Sequence, residues 1–288
     1  MKPWPLLALI LASSVTAGGR DDAVVLTAGG DVILTRGVAA SARGDWRVVL
    51  GGLRDALRGS DVTFVNLESP LTTRPKVTVG IDLRGTPKAV RALSSAGVTV
   101  ASTVNNHALD GGAAGLTESR RALRTAGVMP LTANVAWRAV RGRRFAFLAL
   151  QDDGRPWPLR SVRAAARTAD AVVVSVHWGA EFRDVTARQR RLAADLVAAG
   201  ATLVLGHGPH VLQPVERVGQ AIVAFSLGNL AFDQDPPSAR LSALVRFTLT
   251  SSGWVACAVP LQLKQALPVK SAPSAAPGIL ARLALKAC

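Results

Sequence analysis

Short runs of Val, Leu, Ala and Thr recur along this chain between longer stretches of helical spacing, and that alternation constrains the fold more than any other feature. Residues 24–28, 63–67, 98–101, 145–150, 171–176, 202–205, 221–225 and 241–250 read as strands. Several of them, 171–176 above all, are apolar almost continuously, as expected of strands covered on both faces. Residues 46–58, 87–96, 115–126, 161–169 and 187–199 have helical character. Pro87 opens one of these helices and Gly97 stands just past its end, while Gly127 and Gly200 stand just past the ends of two others. Strands alternating with helices predict an α/β layered fold rather than an all-β sandwich. Residues 24–268 are expected to form the domain and 269–288 a tail, in which the Ser/Ala/Pro-rich stretch 271–278 precedes a last short helix.

Composition narrows the function. The 288 residues carry 34 Lys and Arg against 19 Asp and Glu, a net charge of +15, and 49% are hydrophobic. Such a chain is neither a disordered acidic segment nor a disulfide-stapled mini-protein. The positive charge is mostly arginine, scattered in pieces such as Arg120-Arg121 and Arg143-Arg144, with no Tyr anywhere in the chain. Nucleic acid is therefore a disfavoured partner, since only the net charge argues for it. Solvated helix faces account for dispersed arginine; an anionic polymer or membrane surface is the functional counterpart.

The N-terminus has the tripartite form of a secretory signal: Met1-Lys2, an apolar stretch over 6–12, and small residues before a cleavage point after Ala17. Residues 1–17 are thus expected to be a signal peptide and the mature protein to be exported, periplasmic or extracellular. The apolar stretch is too short for a permanent transmembrane anchor. Cys257 and Cys288 could pair in an oxidising compartment, although only their number argues for it.

The chemically able side chains gather just past the strands, where ligands bind in α/β folds. Six strand ends run into Gly29-Gly30-Asp31, Asn66-Leu67-Glu68, Asn105-Asn106-His107, His177-Trp178-Gly179, Gly206-His207-Gly208-Pro209-His210 and Ser226-Leu227-Gly228-Asn229. All four histidines of the chain occupy this position, and the six ends are expected to share one sheet edge. Carboxylates, imidazoles and amide oxygens form a hard-to-borderline donor set suited to Mn, Fe or Zn.

These motifs, in this order, resemble the CapA family of poly-γ-glutamate biosynthesis proteins within the calcineurin-like metallophosphatase superfamily. The resemblance spans residues 24–250 and includes Asn105-Asn106-His107-Ala108-Leu109-Asp110 and Phe225-Ser226-Leu227-Gly228-Asn229-Leu230. It implies a four-layer α/β/β/α fold with one or two divalent ions. It further implies Asp31, Glu68, Asn106, His177, His207 and His210 as ligands and His107 as general acid, with Arg36, Asn105, Glu181 and Asn229 toward substrate. Two departures stand out: Ile33 where phosphatases carry a His two residues beyond the Asp, and Gly208 where the family carries a second consecutive His. The implied function is metal-dependent hydrolysis of a phosphoester or an anionic envelope polymer, in company with envelope biosynthesis proteins. The alternative is a non-catalytic protein that binds such a polymer or assists its export.

Overall fold

The computed structural model describes residues 23–288, so the expected signal peptide lies outside the described residues. Two sheets face each other, and helices cover the outer face of each. The larger sheet contains β1 (Val24–Val32), β2 (Val62–Leu67), β3 (Val100–Ser102) and β4 (Met129–Leu131), all parallel. The second sheet begins with β5 (Ala136–Val140), β6 (Arg143–Gln151), β7 (Ala171–His177) and β8 (Leu203–His207), and continues through β9 (Leu212–Val218) and β10 (Ala221–Leu227). The chain then returns to the larger sheet: β11 (Asn229–Ala231) pairs with the end of β1, and β12 (Leu241–Thr250), β13 (Gly253–Lys264) and β14 (Leu267–Lys270) extend it antiparallel. The resulting orders are β14-β13-β12-β1-β2-β3-β4 and β5-β6-β7-β8-β10-β9.

The period of two along each strand divides its side chains between layers. Leu26 and Ala28 of β1, Val62 and Phe64 of β2, Val173 of β7 and Leu203 and Leu205 of β8 fill the core between the sheets. Val65 and Leu67 of β2 face the other way, toward α1 (Arg36–Ala42), α2 (Val48–Gly51), α3 (Arg54–Leu57) and α4 (Arg91–Ser94). Leu123 of α5 (Gly112–Thr125) joins the same outer cluster. Val172, Val174 and Val176 of β7 face α6 (Leu159–Ala166) and α7 (Ala187–Ala198). This is the four-layer α/β/β/α arrangement, and it explains why β7 reads as unbroken apolar sequence.

Helical sequence was legible but its continuity was not. The helix expected over 46–58 is two short ones interrupted around Gly52, and that over 87–96 is a 3-10 turn at Pro87–Val90 followed by α4. α7 is fully specified, with a reciprocal capping box between Thr186 and Gln189 at its start. The expected tail is integral to the domain. α8 (Ala276–Leu283) inserts Ile279 and Leu283, both fully buried, into the inter-sheet core, and Cys288 is disulfide-bonded to Cys257 on β13. Among the described residues no helix is long and apolar enough to cross a membrane.

Candidate metal centre

The six strand ends do not share one sheet edge. β1, β2 and β3 belong to the larger sheet, β7, β8 and β10 to the smaller one, and their ends converge because the sheets are stacked. Asp31 stands beside Asn66 on β2 and Asn229 on β11. His177 and His207 are neighbours in register on β7 and β8. Close backbone approach makes this possible: a Cβ on Gly30 would lie 1.9 Å from the Gly228 carbonyl oxygen, so only glycine lets β1 pass there.

Asp31, Glu68 and His210 bring one donor atom each within 4.8 Å of one another, and all three are buried. His210 Nδ1 lies 3.1 Å from Asp31 Oδ2, and its Nε2 lies 3.8 Å from Glu68 Oε1. His207 Nδ1 is 3.2 Å from Asp31 Oδ1. His210 adopts φ +59, an uncommon left-handed conformation for a residue with a side chain, and such strain tends to sit at functional sites. Its Nδ1 makes an aligned hydrogen bond, at 2.9 Å, with Asn229 Oδ1. With Nδ1 as donor, Nε2 keeps its lone pair toward Glu68, the orientation that an outer partner imposes on a metal-binding imidazole.

The decisive observation is what these groups lack. Both carboxylate oxygens of Glu68, both ring nitrogens of His207 and Nδ1 of His177 are buried without a hydrogen-bond partner. Buried polar atoms in native proteins are nearly always satisfied, and each orphan costs about 1–3 kcal/mol. A divalent cation beside Asp31 fits this set: it would take lone pairs from the Glu68 carboxylate and one from an imidazole, since a neutral imidazole offers a single lone pair. The residues present therefore fit the ion that the donor chemistry implies.

Proton affinities carry the same signature. Burial pushes the Glu68 carboxyl up to about 8, against the pull of nearby His210. Burial works the same way on Asp31, yet the close imidazoles of His207 and His210 hold its carboxyl well below the usual range. Burial pushes His177 down to about 3. For His210 burial is opposed by Glu68 and Asp31, which raise it to about 9. A buried dication would reverse the local balance by favouring ionised carboxylates and neutral imidazoles.

The remaining expected site residues separate into groups. His107 is at the rim, with Nδ1 3.0 Å from Asp110 Oδ2. Asp110 is itself fixed by Thr78 Oγ1 at 2.9 Å and by the Leu83 N–H at 2.9 Å. Glu181 is exposed, and its charge is felt by Glu68. Three of the residues expected toward substrate are engaged within the protein. Asn229 is fully buried, and its amide is spent on His210, Gln234 and Ala239. Asn105 is buried and donates to Asn66 Oδ1 and the Leu67 carbonyl oxygen. Arg36 is paired with Asp233 through two hydrogen bonds of 3.1 and 2.6 Å. Asn106, expected as a ligand, has an exposed side chain, whereas the amide that touches Asp31 is that of Asn66, with Nδ2 2.8 Å from Oδ1. Asn66 was in plain view at a strand end and Asp110 in the turn that follows His107. Only Asp110, three residues after His107, carried a spacing signal.

Comparison with known proteins agrees with this geometry. Residues 25–234 match the family model of the bacterial capsule synthesis protein PGA_cap. The chain belongs to this family. It is 30% identical over 242 residues to the PGA biosynthesis protein CapA of Bacillus subtilis, a match that covers 73% of this chain and 64% of that protein. It is also 30% identical over 312 residues to the capsule biosynthesis protein CapA of Bacillus anthracis, covering 92% of this chain and 76% of that one. Among solved structures, a phosphatase from Mycoplasma pneumoniae superposes with a TM-score of 0.55 at 12% identity, over 83% of this chain and 94% of its own. That likeness is one of fold, and the fold is metallophosphatase-like.

Gly208 is where this PGA_cap member departs most from the expected motif. It has φ +105, and an added Cβ would lie 2.8 Å from the Trp178 carbonyl oxygen and 3.1 Å from His177 Nε2. The backbone N–H of Gly208 points at Asp31 Oδ2 instead, at 3.3 Å. The second departure, Ile33, is fully buried among the apolar residues of the outer core.

Proposed function

We propose that this chain is an exported, metal-dependent hydrolase that acts on a phosphoester or on another bond of an anionic envelope polymer, in capsule or poly-γ-glutamate metabolism. The observation that carries the reading is the set of orphaned donor atoms on Glu68, His177 and His207 beside Asp31 and His210. Asp31, Glu68, His177, His207 and His210 would hold the ion, Mn, Fe or Zn by donor type. A divalent ion bound there would act as a Lewis acid toward a phosphoryl or carbonyl oxygen. His107 would protonate the leaving oxygen through Nε2, because Nδ1 is engaged by Asp110. Asn229 and Asn66 would keep His210 and Asp31 in place. Export is supported by the signal-like N-terminus and by the Cys257–Cys288 disulfide, which suits an oxidising compartment. The names of the Bacillus relatives support the capsule context.

One observation favours a second reading. With Gly208 and Ile33 at two positions where imidazoles are expected, the donor set is smaller, and a non-catalytic polymer-binding or export-assisting role would follow. Metal analysis separates the two. Purified protein, Asp31→Asn and His177→Ala are loaded with Mn²⁺, Fe²⁺ or Zn²⁺, dialysed and assayed on bis-p-nitrophenyl phosphate and poly-γ-glutamate. The hydrolase reading expects about stoichiometric metal, reduced in both variants, and turnover that follows metal content. Equal metal in all three proteins would end the ligand assignment, and bound metal without turnover of either substrate would favour the second reading.

A further inference from the structure

Arg74, Lys88, Arg91 and Arg121 are exposed and line one groove of about 810 Å³ outside the metal centre. One wall is the 3-10 turn at Pro87–Val90 with α4, the other is α5 from Glu118 onward, and residues 73–75 complete the lining. Among the described residues none of these four cations forms an ion pair, whereas Arg36, Arg84, Arg141, Arg188 and Arg190 all do. The lone carboxylate of the lining, Glu118, is already bonded to Thr72 Oγ1 at 2.6 Å, to the Thr73 N–H at 3.2 Å and to Thr73 Oγ1 at 3.1 Å. Four uncommitted cations against one committed anion leave a concave surface with a net charge of +3.

The remainder of the lining says which anion fits. Pro75, Pro87, Val90 and Ala122 lie among the cations, so the groove also offers aliphatic surface. A polyphosphate has nothing apolar to place there. A chain of carboxylates separated by methylene groups matches both components, because its charges meet the guanidinium and ammonium groups while its spacers cover the aliphatic carbons. We propose that this groove binds a linear polycarboxylate. The proposal rests on the reading above only for the source of such a polymer, since the groove and the buried ligand cluster share no residue.

The groove is nevertheless mechanically connected to the centre. Thr73 and Arg74 begin the segment that continues through Thr78 and Leu83, both bonded to Asp110, which holds His107. Arg84 ties that segment together by donating to the Arg74 carbonyl oxygen. A polymer seated between α4 and α5 therefore touches the start of the segment whose later residues fix Asp110 and, through it, His107.

Fluorescence anisotropy with end-labelled poly-γ-glutamate at low and moderate salt tests the site on wild type, K88E/R121E and R160E/R163E. The last pair makes the same charge change on α6, on the opposite outer layer. K88E/R121E is expected to weaken binding by about tenfold and flatten its salt dependence, while R160E/R163E stays within about twofold of wild type. Equal weakening by both pairs would reduce binding to overall charge and overturn the site. Polyphosphate of matched length that binds as tightly, with the same sensitivity to K88E/R121E, would overturn the carboxylate assignment. Metal content and phosphodiester hydrolysis on the same samples are expected to be unchanged in K88E/R121E. Failure of the metal-centre reading would appear there, with polymer binding intact.

Discussion

Replacing Gly208 with His restores the motif that the family resemblance leads one to expect, yet it should damage the protein. Two costs follow from the structure. A residue with a side chain held at φ +105 is strained by about 1–3 kcal/mol. Its Cβ would also lie 2.8 Å from the Trp178 carbonyl oxygen, a backbone atom that cannot rotate aside. Trp178 is anchored by its N–H to the His207 carbonyl oxygen at 2.9 Å and by its indole N–H to the Phe225 carbonyl oxygen at 2.8 Å. Overpacking of this kind adds about 1–3 kcal/mol. The sum, about 2–6 kcal/mol, corresponds to a fall in Tm of roughly 4–12 °C for a domain of this size, at about 2 °C per kcal/mol. The Cβ would also sit 3.1 Å from His177 Nε2 and displace that ring, so metal content should fall as well. Differential scanning fluorimetry and metal quantification by mass spectrometry read the two effects. Gly208→Ala, which has the Cβ but no imidazole, should reproduce most of the Tm loss. A Gly208→His protein with wild-type Tm and more bound metal would refute the reasoning and identify position 208 as a ligand simply lost.

Other expectations follow from groups that act through a neighbour. Asn229→Ala frees His210 Nδ1 without touching a ligand and should weaken metal affinity about 10–100-fold, measured by chelator competition. Asp110→Asn unfixes His107 and should lower kcat about tenfold or more with KM and metal content near wild type; a change confined to Tm would mean a structural role. Cys257→Ser opens a link between residues 31 apart and should cost about 3–4 kcal/mol by chain entropy, with protection of α8 amides in hydrogen exchange lost first. Protection of α8 that matches wild type would show that Ile279 and Leu283 suffice to hold it.

Legibility along the chain followed local patterning. β7 and β8 could be read because unbroken apolar runs mark strands covered on both faces, and α7 because its cap and its terminating glycine are local signals. β13 was missed: its burial has no regular alternation, and Pro260 lies within it. β11 was missed because three residues are too few for any period to show. The resemblance located the donor residues, but it did not separate Asn105 from Asn106, nor a substrate contact from a support at Asn229. Those distinctions depend on which way a side chain turns after a strand ends, and neighbouring residues decide that.

The sequence by itself determined the α/β layering, the scarcity and placement of four histidines, and the family. Each is written in short-range patterns, in motif order or in composition. Tertiary structure alone decided that six strand ends from two sheets meet, that Glu68, His177 and His207 are left with bare donor atoms, and that Gly208 has no room for a ring. It also decided that dispersed arginines gather into a groove between α4 and α5. Burial and convergence are properties of packing between elements distant in the chain, so no window of sequence contains them.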